Sequence, residues 1–168
     1  MDFRPAEMRD LPRIQAVYRD IVKQMNSRQI QIWDDVYPCA FFAGDITERR
    51  LYVLCRREEI LSAFALCGTN PGEKAVKWQK DRCRALYLER FGVNADYSGR
   101  GIGSLMLEKA KETAKNAGAD YLRLFVAEEN RPAIGLYSKN GFLRCGGIYE
   151  EAIGDGSLLR EYGFETAL

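Results

Sequence analysis

A glycine-rich segment, residues 92–104, has the residue types and spacing that most clearly suggest chemistry. It joins a β-rich run to a helical run and reads Gly-Val-Asn-Ala-Asp-Tyr-Ser-Gly-Arg-Gly-Ile-Gly-Ser. The first N–H groups of a helix have no partner within it and lie at the positive end of the helix dipole. Glycines permit positive φ angles and let a phosphate approach the backbone. The segment therefore predicts a pyrophosphate site built from charge-assisted hydrogen bonds of about 1.5–3 kcal/mol each.

Two other phosphate-binding motifs do not fit this segment. A dinucleotide-binding G-x-G-x-x-G fails because Ser104 stands at the third glycine position after Gly99 and Gly101. No acidic residue follows at a strand end about 20 residues on, as that motif requires. A P-loop fails because no Gly-Lys-Ser/Thr follows. Taken alone, the segment leaves two interpretations open: a phosphate site, and a glycine-rich turn with a structural role only.

The surrounding sequence favours the phosphate site because two blocks resemble one family. Residues 88–107 read Leu-Glu-Arg-Phe-Gly-Val-Asn-Ala-Asp-Tyr-Ser-Gly-Arg-Gly-Ile-Gly-Ser-Leu-Met-Leu, and residues 130–142 read Asn-Arg-Pro-Ala-Ile-Gly-Leu-Tyr-Ser-Lys-Asn-Gly-Phe. The first block resembles the Arg/Gln-x-x-Gly-x-Gly/Ala loop of the GNAT superfamily of N-acetyltransferases. Gly101 and Gly103 match that loop, and Ser98 stands where Arg or Gln is usual. The second block resembles the family's Asn-x-x-Ala-x-x-Leu-Tyr-x-x-x-Gly-Phe motif, and the resemblance extends over roughly the whole chain.

The resemblance implies an acetyl-CoA site along one strand and the helix after it. The backbone of Phe91, Gly92 and Val93 would pair with the amides of pantetheine as if CoA were an added strand. Asn130 would hydrogen-bond the pantetheine arm, and Tyr137 would lie near the thioester sulfur. The pyrophosphate loop would comprise Ser98, Gly99, Arg100, Gly101, Ile102, Gly103 and Ser104.

The serine at position 98 is a departure from the family pattern that removes a long donor side chain. Backbone N–H groups do not depend on residue type, so we expect Ser98 to leave CoA binding in place but weaker. Arg100 is the candidate for supplying the missing positive charge.

Acetylation of an amine at neutral pH gains from a base. A lysine-like amine has a pKa of about 10.4, so its free-base form costs about 4.6 kcal/mol to populate at pH 7. Glu89 is the first candidate for the base, because several GNAT enzymes carry a glutamate on the corresponding strand. The alternative is that Glu89 only pairs with an arginine. Glu128 and Glu129 are the reserve candidates.

Tyr137 is the candidate hydrogen-bond donor to the departing thiolate. With pKa values of about 10 for tyrosine and about 8.5 for a thiol, full proton transfer would be uphill by about 2 kcal/mol. A hydrogen bond is therefore the safer prediction, and a purely packing role is the alternative. Trp33 and Tyr37 have two equally supported interpretations, as walls of an acceptor pocket or as core packing. An acetyl-cysteine intermediate is disfavoured because no histidine could activate the thiol.

Composition excludes several classes of protein. The chain has no histidine, which removes Ser-His-Asp and Cys-His systems in their usual form and a histidine-dependent zinc site. A formal net charge of +1 and the lack of a basic stripe argue against a nucleic-acid partner. No apolar run approaches the ~18 residues of a membrane helix. Five cysteines without metal spacing, and no secretory signal, predict a cytoplasmic protein with no metal.

The elements that must position these residues follow from periodicity. The pattern predicts helices at 11–25, 39–47, 101–117 and 132–139. It predicts strands at 3–5, 51–55, 60–67, 85–93, 121–126, 142–148 and 158–165, with 68–80 as a loop. This order indicates a mixed α/β sheet covered by helices. The resemblance further implies a mostly antiparallel central sheet, helices on both faces, a splayed central strand pair and one acetyltransferase domain over residues 1–168.

The sequence thus predicts an acetyl-CoA-dependent N-acetyltransferase in which an amine attacks the thioester directly. One rival is a non-catalytic acyl-CoA-binding regulatory module on the same fold, since fold alone does not fix function. Another is an acyltransferase that prefers a longer acyl chain. The acceptor, a small-molecule or peptide amine, stays open, and so does a homodimer of the kind common among relatives.

Overall fold

Two long elements, strand β5 (Ala85–Val93) and helix α3 (Ile102–Asn116), each contribute to both structural units of this protein. The computed structural model describes residues 1–168. The first unit comprises Met1–Leu66 and Arg90–Glu108, and the second comprises Cys67–Glu89 and Lys109–Leu168.

The first unit contains an antiparallel meander at the start of the sheet. Strand β1 (Asp2–Pro5) pairs with β2 (Leu51–Arg56), and β2 pairs with β3 (Glu59–Cys67). Strand β3 lacks the alternating burial of a half-exposed strand. It is buried along almost its whole length because most of its residues, on both faces, are apolar. The strands predicted at 3–5, 51–55 and 60–67 are confirmed.

Two helices of the first unit follow directly from sequence patterns. Helix α1 (Leu11–Ser27) has a proline in its first turn, where the missing N–H costs nothing. It buries an apolar stripe at helical spacing, formed by Ile14, Tyr18, Ile21 and Val22. The predicted short helix at 39–47 is a 3₁₀ turn at Cys39–Phe41 that continues as α2 (Phe42–Thr47).

The second unit contains the parallel strand pair and the C-terminal strands. The first half of β5 runs parallel to β6 (Tyr121–Ala127), in a register from Ala85–Tyr121 to Leu88–Leu124. The parallel register therefore ends before β6 does. Strand β10 (Leu158–Ala167) pairs antiparallel with all of β6, and also with β7 (Leu143–Arg144) and β9 (Tyr149–Ala152). Helix α4 (Arg131–Lys139) follows β6.

The single strand predicted at 142–148 is wrong, because the chain divides there into two separate pairings. Strand β7 pairs with β10, whereas β8 (Gly146–Gly147) pairs with β4 (Val76–Lys77). Gly147 has a φ of 94°, and a Cβ there would lie 2.4 Å from the Ala75 carbonyl oxygen. Glycine at position 147 thus lets the backbones of β8 and of Ala75 approach closely. Strand β4 lies within residues 68–80, which the sequence predicted to be a loop.

The fold class predicted from sequence is confirmed as mixed α/β with a mostly antiparallel sheet. The pairs β1–β2, β2–β3, β6–β10, β7–β10, β9–β10 and β4–β8 are antiparallel, and β5–β6 is parallel. Helices on both faces and a splayed strand pair stay predictions. No helix combines the length and the apolar character needed to cross a membrane.

Candidate functional site

The predicted site residues fall in both units. Phe91, Gly92 and Val93 and the loop at 98–104 belong to the first unit, and Glu89, Asn130 and Tyr137 belong to the second. Each group is built by local contacts of its own, described in turn.

The end of β5 is held by side chains from β3 and α1. The Ser62 hydroxyl donates to the Gly92 carbonyl at 2.6 Å. The ring of Tyr18 occupies the space beside Gly92, where a Cβ would come within 2.8 Å of the ring carbon that bears the hydroxyl. Glycine at position 92 is therefore required by packing, and any side chain there would displace Tyr18.

Asn94 anchors the turn that follows β5, a role that the sequence prediction missed. Its backbone N–H donates to the Leu61 carbonyl at 2.9 Å, and its Nδ2 donates to the Ile60 carbonyl at 3.0 Å. Its Oδ1 accepts from the Asp96 N–H at 3.1 Å, which begins the 3₁₀ turn Ala95–Tyr97. An asparagine that bonds the backbone two residues on is a recognisable turn signal.

The glycine loop adopts the conformation that its sequence predicts. Gly99 and Gly101 have φ values of 74° and 80°, in the left-handed region that favours glycine. At both positions no atom beyond the adjacent chain lies within 4 Å of where a Cβ would be. The space beside both glycines, where a side chain would begin, is thus open.

Helix α3 begins directly after this loop, with buried Ile102 as its anchor. The first bond back along the helix runs from the Leu105 N–H to the Gly101 carbonyl. The N–H groups of Ile102 and Gly103 are therefore first-turn amides with no acceptor within the helix. Left-handed glycines beside a helix N-terminus form a concave set of donors suited to an oxyanion.

Two arginines place positive charge next to the loop. The guanidinium carbons of Arg56 and Arg100 each lie 5.3 Å from the centroid of the Tyr97 ring. The Tyr97 hydroxyl hydrogen-bonds Arg56 and donates to Glu59 at 2.7 Å. Arg100 is therefore held over an aromatic ring beside the glycines.

In the second unit, Glu89 is fixed by an amide that the sequence analysis did not single out. The Nδ2 of Asn70 donates to Glu89 Oε1 at 2.7 Å, and the Oδ1 of Asn70 accepts from the Gly72 N–H at 2.8 Å. Asn70 therefore ties the Glu89 side chain to the loop that begins at Gly68. Nothing in the residue pattern links these two positions, which come together only in the fold.

Glu161 on β10 is a second carboxyl that the sequence prediction missed. Burial raises its pKa to about 7, with further contributions from the negative charges of Glu151 and Glu89. Glu161 lies opposite Ala127 of β6 and Tyr149 of β9, which accounts for its partial burial. The negative charge of Glu89 is thus one of the influences on the Glu161 carboxyl.

Helix α4 carries Asn130 and Tyr137. The Asn130 Oδ1 caps the helix by accepting from the Ala133 N–H at 3.3 Å. Tyr137, two turns further on, is 7% exposed and packs edge-on against Phe142. Burial raises the pKa of the Tyr137 phenol well above its ordinary value, so the phenol keeps its proton.

The structure shows the surroundings of three other candidate residues, Trp33, Tyr37 and Glu128. The ring centroid of Trp33 lies 5.7 Å from that of Tyr18, on which it stacks, and 6.3 Å from that of Tyr37. Trp33 and Tyr37 therefore both take part in the packing of the first unit. Glu128 pairs with Arg160 at 3.2 Å and accepts from the Tyr162 hydroxyl. No group of three or more Cys, Asp or Glu side chains is placed to hold a metal ion.

Comparison with known proteins finds relatives of this chain in both sequence and structure. A protein-family model described as the acetyltransferase (GNAT) family matches residues 14–142. YwnH of Bacillus subtilis (strain 168), provisionally named a phosphinothricin acetyltransferase, is 28% identical over 147 residues, which are 87% of this chain and 86% of YwnH. A GNAT-family acetyltransferase structure from Streptococcus agalactiae 2603 aligns with a TM-score of 0.80 at 20% identity, covering 99% of this chain and 95% of that one.

The solved structures that align with this chain include one with acetyl-CoA bound. The yncA protein of Salmonella typhimurium, provisionally described as an acetyltransferase, was solved with its cofactor acetyl-CoA. It aligns with a TM-score of 0.67 at 14% identity, over 99% of this chain and 93% of yncA.

Proposed function

This chain belongs to the GNAT family of acetyltransferases, and we propose that it moves an acetyl group from acetyl-CoA to a primary amine by direct attack. The observation that carries the proposal is the loop at 98–104. Its two left-handed glycines, its open face and the first amides of α3 form an anion-binding arrangement at the position of the family's loop.

The loop fits the diphosphate of CoA by the chemistry of its donors. Backbone N–H groups of Gly99, Gly101, Ile102 and Gly103 would bind the diphosphate oxygens, and Arg100 would add positive charge. Ser98 lacks a long donor side chain, so the backbone provides most of the binding. The Asn130 Oδ1 already caps α4, so a bond from Asn130 to pantetheine would use its Nδ2 as donor.

Glu89 is the proposed base, assisted by its neighbour. The hydrogen bond from Asn70 fixes the Glu89 carboxylate, and Glu161 with its pKa of about 7 provides a nearby carboxyl that exchanges protons at neutral pH. A base works best when its pKa lies near the working pH. The Glu161 carboxyl, with its pKa of about 7, meets this condition beside Glu89.

Tyr137 is the proposed hydrogen-bond donor to the leaving sulfur. Its raised pKa means that full proton transfer to a thiolate is uphill by more than the roughly 2 kcal/mol expected for an unperturbed tyrosine. The buried phenol keeps its proton and stabilises negative charge by donating a hydrogen bond. Thiolate protonation would then be completed from solvent.

The test separates a catalyst from a non-catalytic acyl-CoA-binding module. Purified protein is first titrated with acetyl-CoA by calorimetry, and thiol release is then followed with a panel of amines that begins with phosphinothricin, the acceptor named for YwnH. Release that depends on the amine supports the enzyme. Binding without release for any amine supports the module, and no binding at millimolar acetyl-CoA contradicts both. Competition among acyl-CoAs of increasing chain length identifies the preferred acyl group.

Two variants and one control examine the proposed catalytic residues. We expect Glu89→Gln and Tyr137→Phe each to lower kcat by about 10²-fold, the range typical of a lost general base or a lost donor to developing charge. Tyr52→Phe is the control for Tyr137→Phe, because both substitutions remove a phenolic oxygen. The ring of Tyr52 stacks on Phe64 in the first unit. If both variants keep the wild-type kcat, the assigned roles are wrong.

A further inference from the structure

Arg90 lies in the middle of β5 with a backbone conformation that strands do not normally contain. Its φ is 51°, in the left-handed region. Gln29, Arg49 and Arg57 also have positive φ values, but each of them lies in a turn. Left-handed backbone is unusual for a residue with a long side chain, and glycine would adopt it without steric cost. Something other than local preference therefore holds Arg90 in place.

The side chain of Arg90 is held by a buried carboxylate. Its Nε and Nη2 donate to the two oxygens of Asp45 at 2.6 and 3.0 Å. The Arg90 residue is 7% exposed and Asp45 is fully buried. The planar guanidinium matches a carboxylate in two parallel bonds, which fixes both position and orientation.

The backbone of Arg90 is held from a second direction. The Tyr18 hydroxyl lies within hydrogen-bond distance of the Arg90 carbonyl and of the Ala63 carbonyl on β3. The same phenol ring fills the space beside Gly92. Side chain and backbone are thus constrained independently, so the left-handed turn at Arg90 is a defined feature of the folded protein.

A buried ion pair is weak evidence of a stabilising role, because desolvation offsets most of its attraction. Strained backbone persists where the surrounding structure determines it, and it is concentrated at functional sites. A left-handed residue turns the next peptide group out of the plane of the strand ladder. The peptide groups that follow are those of Phe91 and Gly92, which the family resemblance predicts to pair with the pantetheine amides of acetyl-CoA.

From this geometry we infer that Arg90, through its ion pair with Asp45, is a positioning residue that orients the Phe91–Gly92 backbone for acetyl transfer. The inference rests on the proposed function. Arg90 does not touch the reacting atoms; it sets the direction of the peptide groups that would meet the thioester carbonyl. Displacement of such groups by about 1 Å is enough to cost about 10²-fold in rate.

The experiment compares Arg90→Ala, Arg90→Gly and the control Arg50→Ala. Arg50 donates to the same Asp45 at 2.6 Å but lies outside β5, so its loss disturbs the carboxylate without releasing the strand. We expect Arg90→Ala to lower kcat by about 10²-fold with little change in the KM for acetyl-CoA. Arg90→Gly should retain more activity than Arg90→Ala, because glycine keeps access to positive φ. Arg50→Ala should keep the wild-type kcat.

Hydrogen exchange of the Phe91–Val93 amides in the free protein provides a readout that needs no turnover. We expect faster exchange in Arg90→Ala than in Arg50→Ala, at equal denaturant midpoints or after correction for them. Arg90→Lys, which keeps the charge but not the two parallel bonds, replaces Arg90→Ala if the latter does not fold. Equal behaviour of the Arg90 and Arg50 variants in both measurements would overturn the inference. Failure of the wild type to bind acetyl-CoA would overturn the proposed function instead, while the exchange comparison still decides the positioning role.

Discussion

Glu161 illustrates how burial changes the chemistry of a single residue. Its pKa in the folded protein is about 7, whereas the ordinary value is 4.5, so the folded protein binds this proton more tightly than the unfolded chain does. The protonated carboxyl contributes its full stability below pH 4.5, and that contribution is lost as pH rises through 7. At pH 8 the charged form therefore costs the folded state about 3 kcal/mol relative to the unfolded chain.

We therefore predict that Glu161→Gln stabilises the protein at pH 8 by an amount approaching 3 kcal/mol and has no effect at pH 4. The measurement is urea unfolding at both pH values. Glu150→Gln is the matched control, since Glu150 pairs with Arg160 at 3.3 Å near the surface and both side chains are exposed. A stability difference that is the same at pH 4 and pH 8 would show that the carboxyl of Glu161 is not perturbed.

At the scale of elements, glycines in this chain serve two purposes that one substitution series can separate. Gly101 has a positive φ and open space beside it, whereas Gly147 has a positive φ and a backbone oxygen 2.4 Å from where a Cβ would be. Gly101→Ala should therefore destabilise the folded protein by about 1 kcal/mol through backbone strain. Its effect on CoA affinity should be larger than its effect on stability. Gly147→Ala should cost more stability than Gly101→Ala, because backbone has to move, and leave CoA affinity nearly unchanged.

Gly44→Ala in helix α2 is the reference for this series. It has open space and no positive φ, so it should be neutral or stabilising by up to about 1 kcal/mol. Calorimetric CoA affinities and denaturant midpoints for the three variants provide the comparison. If Gly147→Ala weakens CoA binding more than Gly101→Ala does, the division between a ligand-binding glycine and a packing glycine is incorrect.

The elements also show which parts of the fold a sequence can predict. Helix α1 and strand β5 were predicted within two residues of their ends, since apolar periodicity and flanking proline or glycine are local signals. The division of 142–148 into β7 and β8 was not predictable, because it depends on pairing with β10 and with β4, which are distant in sequence. The left-handed conformation of Arg90 likewise depends on Asp45, 45 positions away.

The candidate site likewise has a part that the sequence predicts and a part that it does not. The conformation of the loop at 98–104 is predictable because the positive φ values of Gly99 and Gly101 follow from the glycine spacing. Asn70 and Glu161 were missed because their relevance arises from proximity to Glu89, which only tertiary structure creates. Local motifs thus predict a candidate loop, whereas the residues that surround a candidate base become visible only in the fold.

At the scale of the whole molecule, the chain has no histidine and a formal net charge of +1. No side chain with an ordinary pKa titrates between pH 5 and 8 in such a chain. Among the side chains, Glu161 is the clearest example of a group whose pKa is shifted into that interval. Attraction of an anionic CoA cannot rely on overall charge either, so it must come from local donors such as those of the loop at 98–104.

Binding that depends on these local donors should appear as a ligand-dependent rise in melting temperature. A ligand at 100 times its Kd that binds only the folded state stabilises it by about 2.7 kcal/mol. For a chain of 168 residues, that corresponds to a rise in Tm of roughly 5–10 °C, at about 2–4 °C per kcal/mol. We predict such a rise with acetyl-CoA or CoA, and a much smaller one with pantetheine at equal concentration, since pantetheine lacks the diphosphate. Gly101→Ala should reduce the CoA shift and leave the pantetheine shift unchanged. An equal shift with both ligands would mean that the thiol arm, and not the loop, provides the binding energy.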